Sequence, residues 1–596
     1  AEKYPLDAGI LKRAHGEWPE LASLSSQLCA ALPLAYPGVH RRVFSNDRVW
    51  LTLLHDDAAN AFENVQARVD AWFLDGFSPK RNPDLWSPRV FNAMARLSHE
   101  GTTFATFFSA GQVQHDLGLA GFAICKQPGS GYKREMCCGH FVDKTPPSDN
   151  SRQDRTHPNS AGLPNASPAL PTIDRLPVQD APWFRHKIPA KVPVKVVVIG
   201  AGLAGCATAA ALAARGLRVT VVDEAPCIAS AASGNPIGLT FVRLTTHASA
   251  QNRYYLLAYL HALGHLRRIF SAAKIPEGEA WCLNGILRVF DDEQEQAELE
   301  AFLQSPGAEL LVQRQSREQL SALAGFPIDK AGVLQPGSGW LNPATLCRAL
   351  LTHPLIQVQL NTKVQSIEKV QSLEKVQSLE SGQSPEHDNG WTLHTTSAPL
   401  NADAVVIANS NAAAQFAQTS HLTLRSVRGQ ITRLPPTDSS KNLRHAINYS
   451  GYLTPVWQGS HTVGATFHPK RTDTEETAED HAENIARLGT ALPGFSALVE
   501  SGSHMNWSGR VAFRTGTPDY LPYVGPAPVV DQYRLDYQDG LGKGQLKRLY
   551  PLGAVHPHLY VTAAHGSRGI TSTLLAAEVL CHWMLLLTDP VNTETL

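Results

Sequence analysis

Residues 194–224 read VKVVVIGAGLAGCATAAALAARGLRVTVVDE. Val194 to Ile199 is a short apolar, β-branched run, the signature of a buried parallel strand. Gly200, Gly202 and Gly205 follow at G-x-G-x-x-G spacing. The Ala/Leu stretch from Cys206 to Arg215 has high helix propensity, and Gly216 falls where a helix ends. Leu217 to Val222 is a second apolar strand closed by Asp223. Strand, glycine turn, helix, strand and acid in this register predict a βαβ dinucleotide site. The glycines allow a tight turn, backbone approach to a pyrophosphate and close helix–strand packing, and Asp223 can accept hydrogen bonds from a ribose. The helix N-terminus offers free N–H groups to phosphate. A glycine-rich turn in an ordinary βαβ unit is the plain alternative.

Downstream, Ser233, Gly234 and Asn235 lie in a run of small residues, Ala231 to Gly238, that lets backbone approach a flat ring or a pyrophosphate. Leu400–Asn409 reads as a strand. Leu559–Ala564 reads as another, followed by a glycine loop containing Gly566, Arg568, Gly569 and Ile570 and then a helix. A second helix N-terminus at the same sheet edge can hold the far end of a long cofactor. A fingerprint near the domain start joined to a terminal strand–glycine–helix unit is the arrangement of FAD oxidoreductases. The FAD lobe is expected over 193–240, 346–414 and 521–596. A mixed-sheet substrate lobe is expected over 241–345 and 415–520.

The chain has 596 residues, enough for more than one domain. With 52 basic and 53 acidic residues its net charge is −1, so any nucleic-acid partner must meet a local patch. Nine cysteines without C-x-x-C spacing read as reduced thiols in a cytoplasmic protein, with no metal site expected. No apolar run is long enough to predict a membrane span. Leu574–Leu587, interrupted by Glu578 and His582, reads as a buried helix.

Ahead of the fingerprint, residues 1–145 alternate strands and helices, which predicts a parallel α/β sheet. Helices are expected over Asp7–Glu17, Glu20–Leu32, Ala58–Gln66 and Trp86–Leu97. Strands are expected at Arg41–Phe44 and Val49–Leu54 around an Asn46-Asp47 turn, at Val69–Leu74 (buried), at Thr102–Phe108, and as a closing pair, Phe122–Lys126 with Arg134–Cys138. Glu2, Asp57 and Asp75 fall at strand ends, where α/β sheets bind ligands. Lining one crevice, Glu2 could hold a ribose, Asp57 an adenine amine and Asp75 a substrate amine. Each acid alone can equally cap a helix or a turn. Residues 146–192 are rich in Pro, Ser, Asn and Asp and read as a linker, in which Trp183-Phe184 should dock onto a domain surface.

The segments DAWFLDGFSPKRNPDLW (Asp70–Trp86), GYKREMCCG (Gly131–Gly139) and EKYPL (Glu2–Leu6) resemble the methyltransferase half of the MnmC family of bacterial bifunctional tRNA-modifying enzymes. That family's first strand and glycine loop would precede Ala1, so this domain reads as N-terminally incomplete. ASGNPIG (Ala232–Gly238), GWLNPATL (Gly339–Leu346), VRGQI (Val427–Ile431), GYLTP (Gly451–Pro455), PDYLPYVGPAP (Pro518–Pro528) and HGSRGITS (His565–Ser572) are similar to the D-amino-acid oxidase/glycine oxidase superfamily, and most of all to the oxidase half of the same family. The resemblance implies FAD, S-adenosylmethionine as methyl donor, and tRNA as substrate. Carboxymethylaminomethyl-uridine at the wobble position would be cleaved oxidatively to the aminomethyl form and then methylated. An arginine is the expected carboxylate clamp. Arg568 is preferred over Arg514, with Tyr452 a weaker substrate contact, although a lone arginine can simply form a structural ion pair.

For phosphate contacts the basic pairs are Arg41-Arg42, Lys80-Arg81, Lys133-Arg134 and Lys543/Lys547-Arg548, each also readable as solvated surface. Two other functions fit the residues: a glycine- or sarcosine-type amine oxidase with an inactive front domain, and a non-catalytic RNA-binding scaffold. The repeat KVQSIE-KVQSLE-KVQSLE (Lys363–Glu380) reads as an expanded hairpin or loop without a catalytic role. Gly502–Met505 reads as a loop.

Overall fold

The computed structural model describes residues 1–44, 48–65, 67–129, 134–142, 181–186, 192–247, 249–290, 293–370, 390–500, 507–545 and 549–585. The Asn46-Asp47 turn, Lys133, Lys547, Arg548, Gly502–Met505, the second and third repeat copies beyond Val370, and most of the expected linker lie outside them.

The fingerprint folds as its pattern dictates. Lys195–Ile199 and Arg218–Val222 are adjacent parallel strands joined by the helix Leu203–Ala213. They sit in a six-stranded sheet ordered Ile356–Gln359, Arg218–Val222, Lys195–Ile199, Ala404–Ile407, Val555–Ala563 and Tyr523–Pro528. The first five run parallel and the last pairs antiparallel at the edge. Val196, Val197 and Val198 have no exposed surface, as a strand covered on both faces requires. The helix Gly569–Leu585 packs on Leu203–Ala213, with Leu574 and Ala577 against Leu203 and Ala207. The first repeat copy is a strand, Val364–Lys369, paired with Trp391–Thr395.

A second, eight-stranded sheet is built from segments between Ile286 and Gly516. Its order is Gln313–Gln315, Gly332–Gln335, Ile286–Val289, Ala446–Asn448, Tyr452–Leu453, His461–Gly464, Arg425–Leu434 and Ser508–Gly516. Only the Ile286–Val289/Ala446–Asn448 pair is parallel, so the sheet is mixed.

The front of the chain departs from the expected parallel sheet. Gly38–Phe44 and Val49–His55 form a separate antiparallel ribbon. Val69–Leu74 pairs parallel with Ser98–Thr106, but the two further strands, Glu135–Phe141 and Phe122–Pro128, are antiparallel. Val69–Leu74 is an edge strand and not a buried one. Trp72 and Leu74 pack on the core under the Pro88–Leu97 helix, while Phe73, on the opposite face of the pleat, is 83% exposed. The apolar run therefore covers only one face.

The ribbon packs against the second half of the chain. Arg41 donates to Glu578 of the Gly569–Leu585 helix at 3.0 Å, and Arg215 reaches the same carboxylate oxygen at 2.8 Å. Arg42 is buried and donates to the carbonyls of Ala31 and Arg41. Arg41-Arg42 is therefore internal and not a phosphate-facing rim. Trp183 docks as expected. Its carbonyl accepts from Tyr533, its ring meets Tyr537 and Tyr550 edge-on, and Gly553 N–H donates to Pro182 O and Arg185 O. Phe184 stays half exposed. All nine cysteines are free thiols. No helix among the described residues is long and apolar enough to cross a membrane.

Candidate active site between the two sheets

A cavity of about 820 Å³ runs between the six-stranded and eight-stranded sheets. Gly200, Gly202, Asp223, Ser233, Asn235, Gly566, Arg568, Gly569 and Ile570 line it from one side, and Tyr452 and Arg514 from the other. Two residues expected at the cofactor act one layer back. A Cβ on Gly205 would lie 1.8 Å from Gly200 O, so this glycine lets the helix close on the strand. A Cβ on Gly234 would lie 2.4 Å from Ala229 O and 2.7 Å from Arg510 Nη2, so it shapes the loop that faces the cavity.

Gly200 has φ +113°, and its N–H donates to Val222 O, which bends the chain from strand to helix. Gly202 is the helix N-cap without a side-chain cap of its own; Leu203 N–H donates to Ser233 Oγ instead. Asp223 accepts from Ala201 N–H at 2.6 Å and from Ala225 N–H at 2.9 Å, fixing the acid at the strand end beside the glycine turn. Asn409 also lines the cavity, and its buried Oδ1 has no hydrogen-bond partner. A bare glycine turn, a helix N-terminus and an orphaned acceptor on one elongated cavity fit a dinucleotide such as FAD.

Arg514 and Arg568 are cations of the cavity lining, each with its own anchor. Arg514 leaves the Ser508–Gly516 strand and donates to Thr466 O, and a Cβ on Gly429 would come within 2.8 Å of its Nη2. Burial pulls the Arg514 guanidinium below the usual arginine value. Burial pushes the Tyr452 phenol up to about 12, against the opposing pull of Arg514, so Tyr452 is a neutral donor. Arg568 lies over the Tyr255 ring at 4.5 Å. His565 also lines the cavity. Its ring nitrogens meet Thr562 Oγ1 and Ser572 Oγ, and burial lowers it to about 4, which keeps it neutral.

Sequence reasoning missed Arg510, Asn409 and Tyr255. Arg510 bonds Asn235 Oδ1 and the carbonyls of Ser230 and Ala231, stitching the eight-stranded sheet to the small-residue loop. Asn235 and Arg510 are 275 residues apart, and no local pattern joins them.

The three acids of the front segment each make contacts of their own, and Lys3 brings the Glu2 segment against Asp57. Glu2 Oε1 accepts from Tyr4 N–H, and its backbone N–H pairs with Leu54 O of the ribbon. Asp57 caps the Ala58–Glu63 helix and meets Lys3 at 3.5 Å. Asp75 is exposed at the end of Val69–Leu74, in the other sheet. Of the expected phosphate contacts, Lys80, Arg81, Arg134 and Lys543 are exposed, with Lys543 3.3 Å from Asp539.

His468, Asp480 and Glu483 offer three metal-type ligand atoms within 4.8 Å of one another. Asp480 is already paired with Arg428 at 2.6 Å and faces Arg471 at 3.5 Å. The cluster is satisfied by cations of the chain itself.

Residues 195–583 match the FAD dependent oxidoreductase family, and residues 19–141 match an S-adenosyl-L-methionine-dependent methyltransferase family. A protein of Chromobacterium violaceum named tRNA 5-methylaminomethyl-2-thiouridine biosynthesis bifunctional protein MnmC is 36% identical over 97% of this chain and 80% of its own length. The chain belongs to the MnmC family. A relative of the same name from Stutzerimonas stutzeri is 35% identical over 98% of this chain and 80% of its own. A glycine oxidase from Bacillus cereus shares the fold at TM-score 0.50 and 17% identity, covering 66% of this chain and 95% of that one. The chain thus combines an FAD-dependent oxidoreductase half with an S-adenosyl-L-methionine-dependent methyltransferase half.

Proposed function

We propose that this chain carries out two consecutive steps on a tRNA wobble uridine. The first removes the carboxymethyl group from 5-carboxymethylaminomethyl-(2-thio)uridine. The second methylates the amine so exposed, giving 5-methylaminomethyl-(2-thio)uridine. The observation that carries this reading is the match to MnmC relatives over 97% of this chain, with both halves in one order. We divide the chain accordingly into a methyltransferase domain (1–145), a linker (146–192) and an oxidase domain (193–596), and place it in the cytoplasm without a metal requirement.

Bound flavin supplies hydride acceptance at N5. The chain's own part is to bind and orient. Gly200, Gly202, Asp223, Ser233, Asn235, Gly566, Gly569 and Ile570 hold the cofactor, with Gly205 and Gly234 shaping its seat. Arg514 is the carboxylate clamp, because it is anchored beside the neutral donor Tyr452 and its guanidinium matches a carboxylate bidentately. Arg568, held against Tyr255, supplies a second positive charge at the cavity. Loss of the C–H hydride from the neutral amine leaves a protonated imine (iminium) on the substrate. Water hydrolyses it, releasing glyoxylate and the aminomethyl base. In the front half, Asp75 accepts a hydrogen bond from that amine and orients its lone pair, while S-adenosylmethionine, held with Glu2 and Asp57, donates the methyl group.

Nucleoside mass spectrometry tests this reading. Flavin-loaded protein incubated with tRNA bearing carboxymethylaminomethyl-2-thiouridine should yield the aminomethyl base alone, and the methylaminomethyl base once S-adenosylmethionine is added. Turnover of free glycine with unaltered tRNA would overturn it in favour of a small-molecule amine oxidase.

A further inference from the structure

Phe467 and Arg487 line the same cavity as Arg514 and Tyr452. Phe467 follows the His461–Gly464 strand, and although it lines the cavity it is 56% exposed. Its two neighbours are pinned. Thr466 N–H donates to Gln430 O, and Thr466 Oγ1 accepts from Gln430 N–H at 2.9 Å. His468 exchanges backbone hydrogen bonds with Arg428, and its ring meets Asp480 at 2.8 Å. A large apolar ring is thus held open to water on a fixed backbone at the mouth of a cleft.

Arg487 is tied to the same segment. Its Nη1 donates to Ala465 O at 3.3 Å, two residues from Phe467. Its Nη2 pairs with Glu483 at 2.5 Å, one turn back on the Ala478–Ala491 helix, and Glu483 lies 3.4 Å from His468. The Arg487 side chain remains 34% exposed. A flat apolar face beside an anchored, accessible guanidinium matches a ligand with a planar ring on an anionic backbone. Glycine and sarcosine have neither feature.

We infer that Phe467 and Arg487 form the nucleotide-gripping rim of the oxidase cavity: Phe467 stacks on the unstacked pyrimidine that carries the amine side chain, and Arg487 pairs with a phosphate of the same RNA strand. This rests on the tRNA reading above and adds the residues that select RNA over small amines. Extrusion of the base from its stack costs free energy, which stacking on Phe467 offsets in part.

The test uses the full chain loaded with FAD and its Phe467→Ala, Phe467→Trp and Arg487→Gln variants. Flavin bleaching is followed with carboxymethylaminomethyl tRNA and with sarcosine, and binding of an anticodon stem-loop RNA is followed by fluorescence anisotropy across salt concentrations. Phe467→Ala should lower the tRNA-to-sarcosine ratio of kcat/KM and weaken stem-loop binding by roughly ten-fold or more, and Phe467→Trp should restore both. Arg487→Gln should reduce the slope of log Kd against log salt by about one. A wild-type stem-loop affinity retained by both Phe467→Ala and Arg487→Gln would overturn the rim while leaving the tRNA reading standing. A wild-type protein that sarcosine bleaches but tRNA neither bleaches nor binds would overturn the tRNA reading itself.

Discussion

Arg41 and Glu578 lie 537 residues apart in sequence and 3.0 Å apart in space, with side chains only 5% and 7% exposed. The pair joins the front ribbon to the last described helix, and Arg215 completes a triad from the fingerprint helix end, its guanidinium 3.7 Å from the Trp50 ring centroid. Removing one member of a buried ion cluster strands the other charges. Glu578→Ala should therefore cost about 3–5 kcal/mol, read as a fall in denaturation midpoint. An unchanged midpoint would mean that the triad does not hold the halves together.

The same contact is sensitive to acid. Burial pushes the Glu578 carboxyl up, but Arg215 and Arg41 outweigh it and hold it below the usual glutamate value. A depressed carboxylate stabilises the fold above its unfolded pKa, and that contribution is lost as pH falls through the folded value. Glu578→Gln should lose stability at neutral pH and flatten the acid limb of the stability curve below about pH 4. Chemical denaturation at several pH values checks this.

Histidines extend the effect upward in pH. His40 of the ribbon and His265 of the Ala250–Ala272 helix are both lowered by burial to about 4. Between about 4 and the ordinary 6.5 the unfolded chain binds these protons and the folded chain does not, so stability falls as pH drops through that window. Each histidine contributes on the order of 1.4 kcal/mol per pH unit there. The variant His265→Gln should show a shallower loss of thermal midpoint between pH 6.5 and 4.5 than the unaltered chain.

At the flavin seat, Gly205→Ala would place a methyl group 1.8 Å from a backbone oxygen that cannot move without opening the βαβ unit. Purified protein should be colourless, with the flavin-to-protein absorbance ratio reduced at least ten-fold. Gly202→Ala meets only the Ser233 hydroxyl, at 3.2 Å, and should retain a measurable fraction of flavin. Equal flavin content in the two variants would contradict the packing assigned to Gly205.

The two arginines at the cavity separate by substitution. Arg514→Ala should keep flavin but raise KM for the carboxylate-bearing substrate by about a hundred-fold or more, in line with loss of a charge-assisted bidentate contact. Tyr452→Phe should cost about ten-fold through one neutral hydrogen bond. Arg568→Ala should lower kcat while KM changes less. A larger KM effect at Arg568 than at Arg514 would move the clamp to the terminal glycine loop.

Residues 194–224 by themselves determined the βαβ unit, the glycine turn and the acid at Asp223. Each depends on neighbours within about thirty positions, where strand alternation, helix propensity and φ freedom act locally. The Gly566–Ile570 loop was legible for the same reason. Tertiary structure decided what those elements face. Arg510 reaches Asn235, Arg514 meets Thr466, and Arg41 meets Glu578 only because distant strands and helices pack together. Arg41-Arg42 read as a solvated basic pair because charge patterning is silent about which face of a ribbon is covered; packing against the Ala250–Ala272 and Gly569–Leu585 helices turned it inward. Val69–Leu74 read as a buried strand because an apolar run looks alike whether one face or two are covered, and only the sheet order left Phe73 in water.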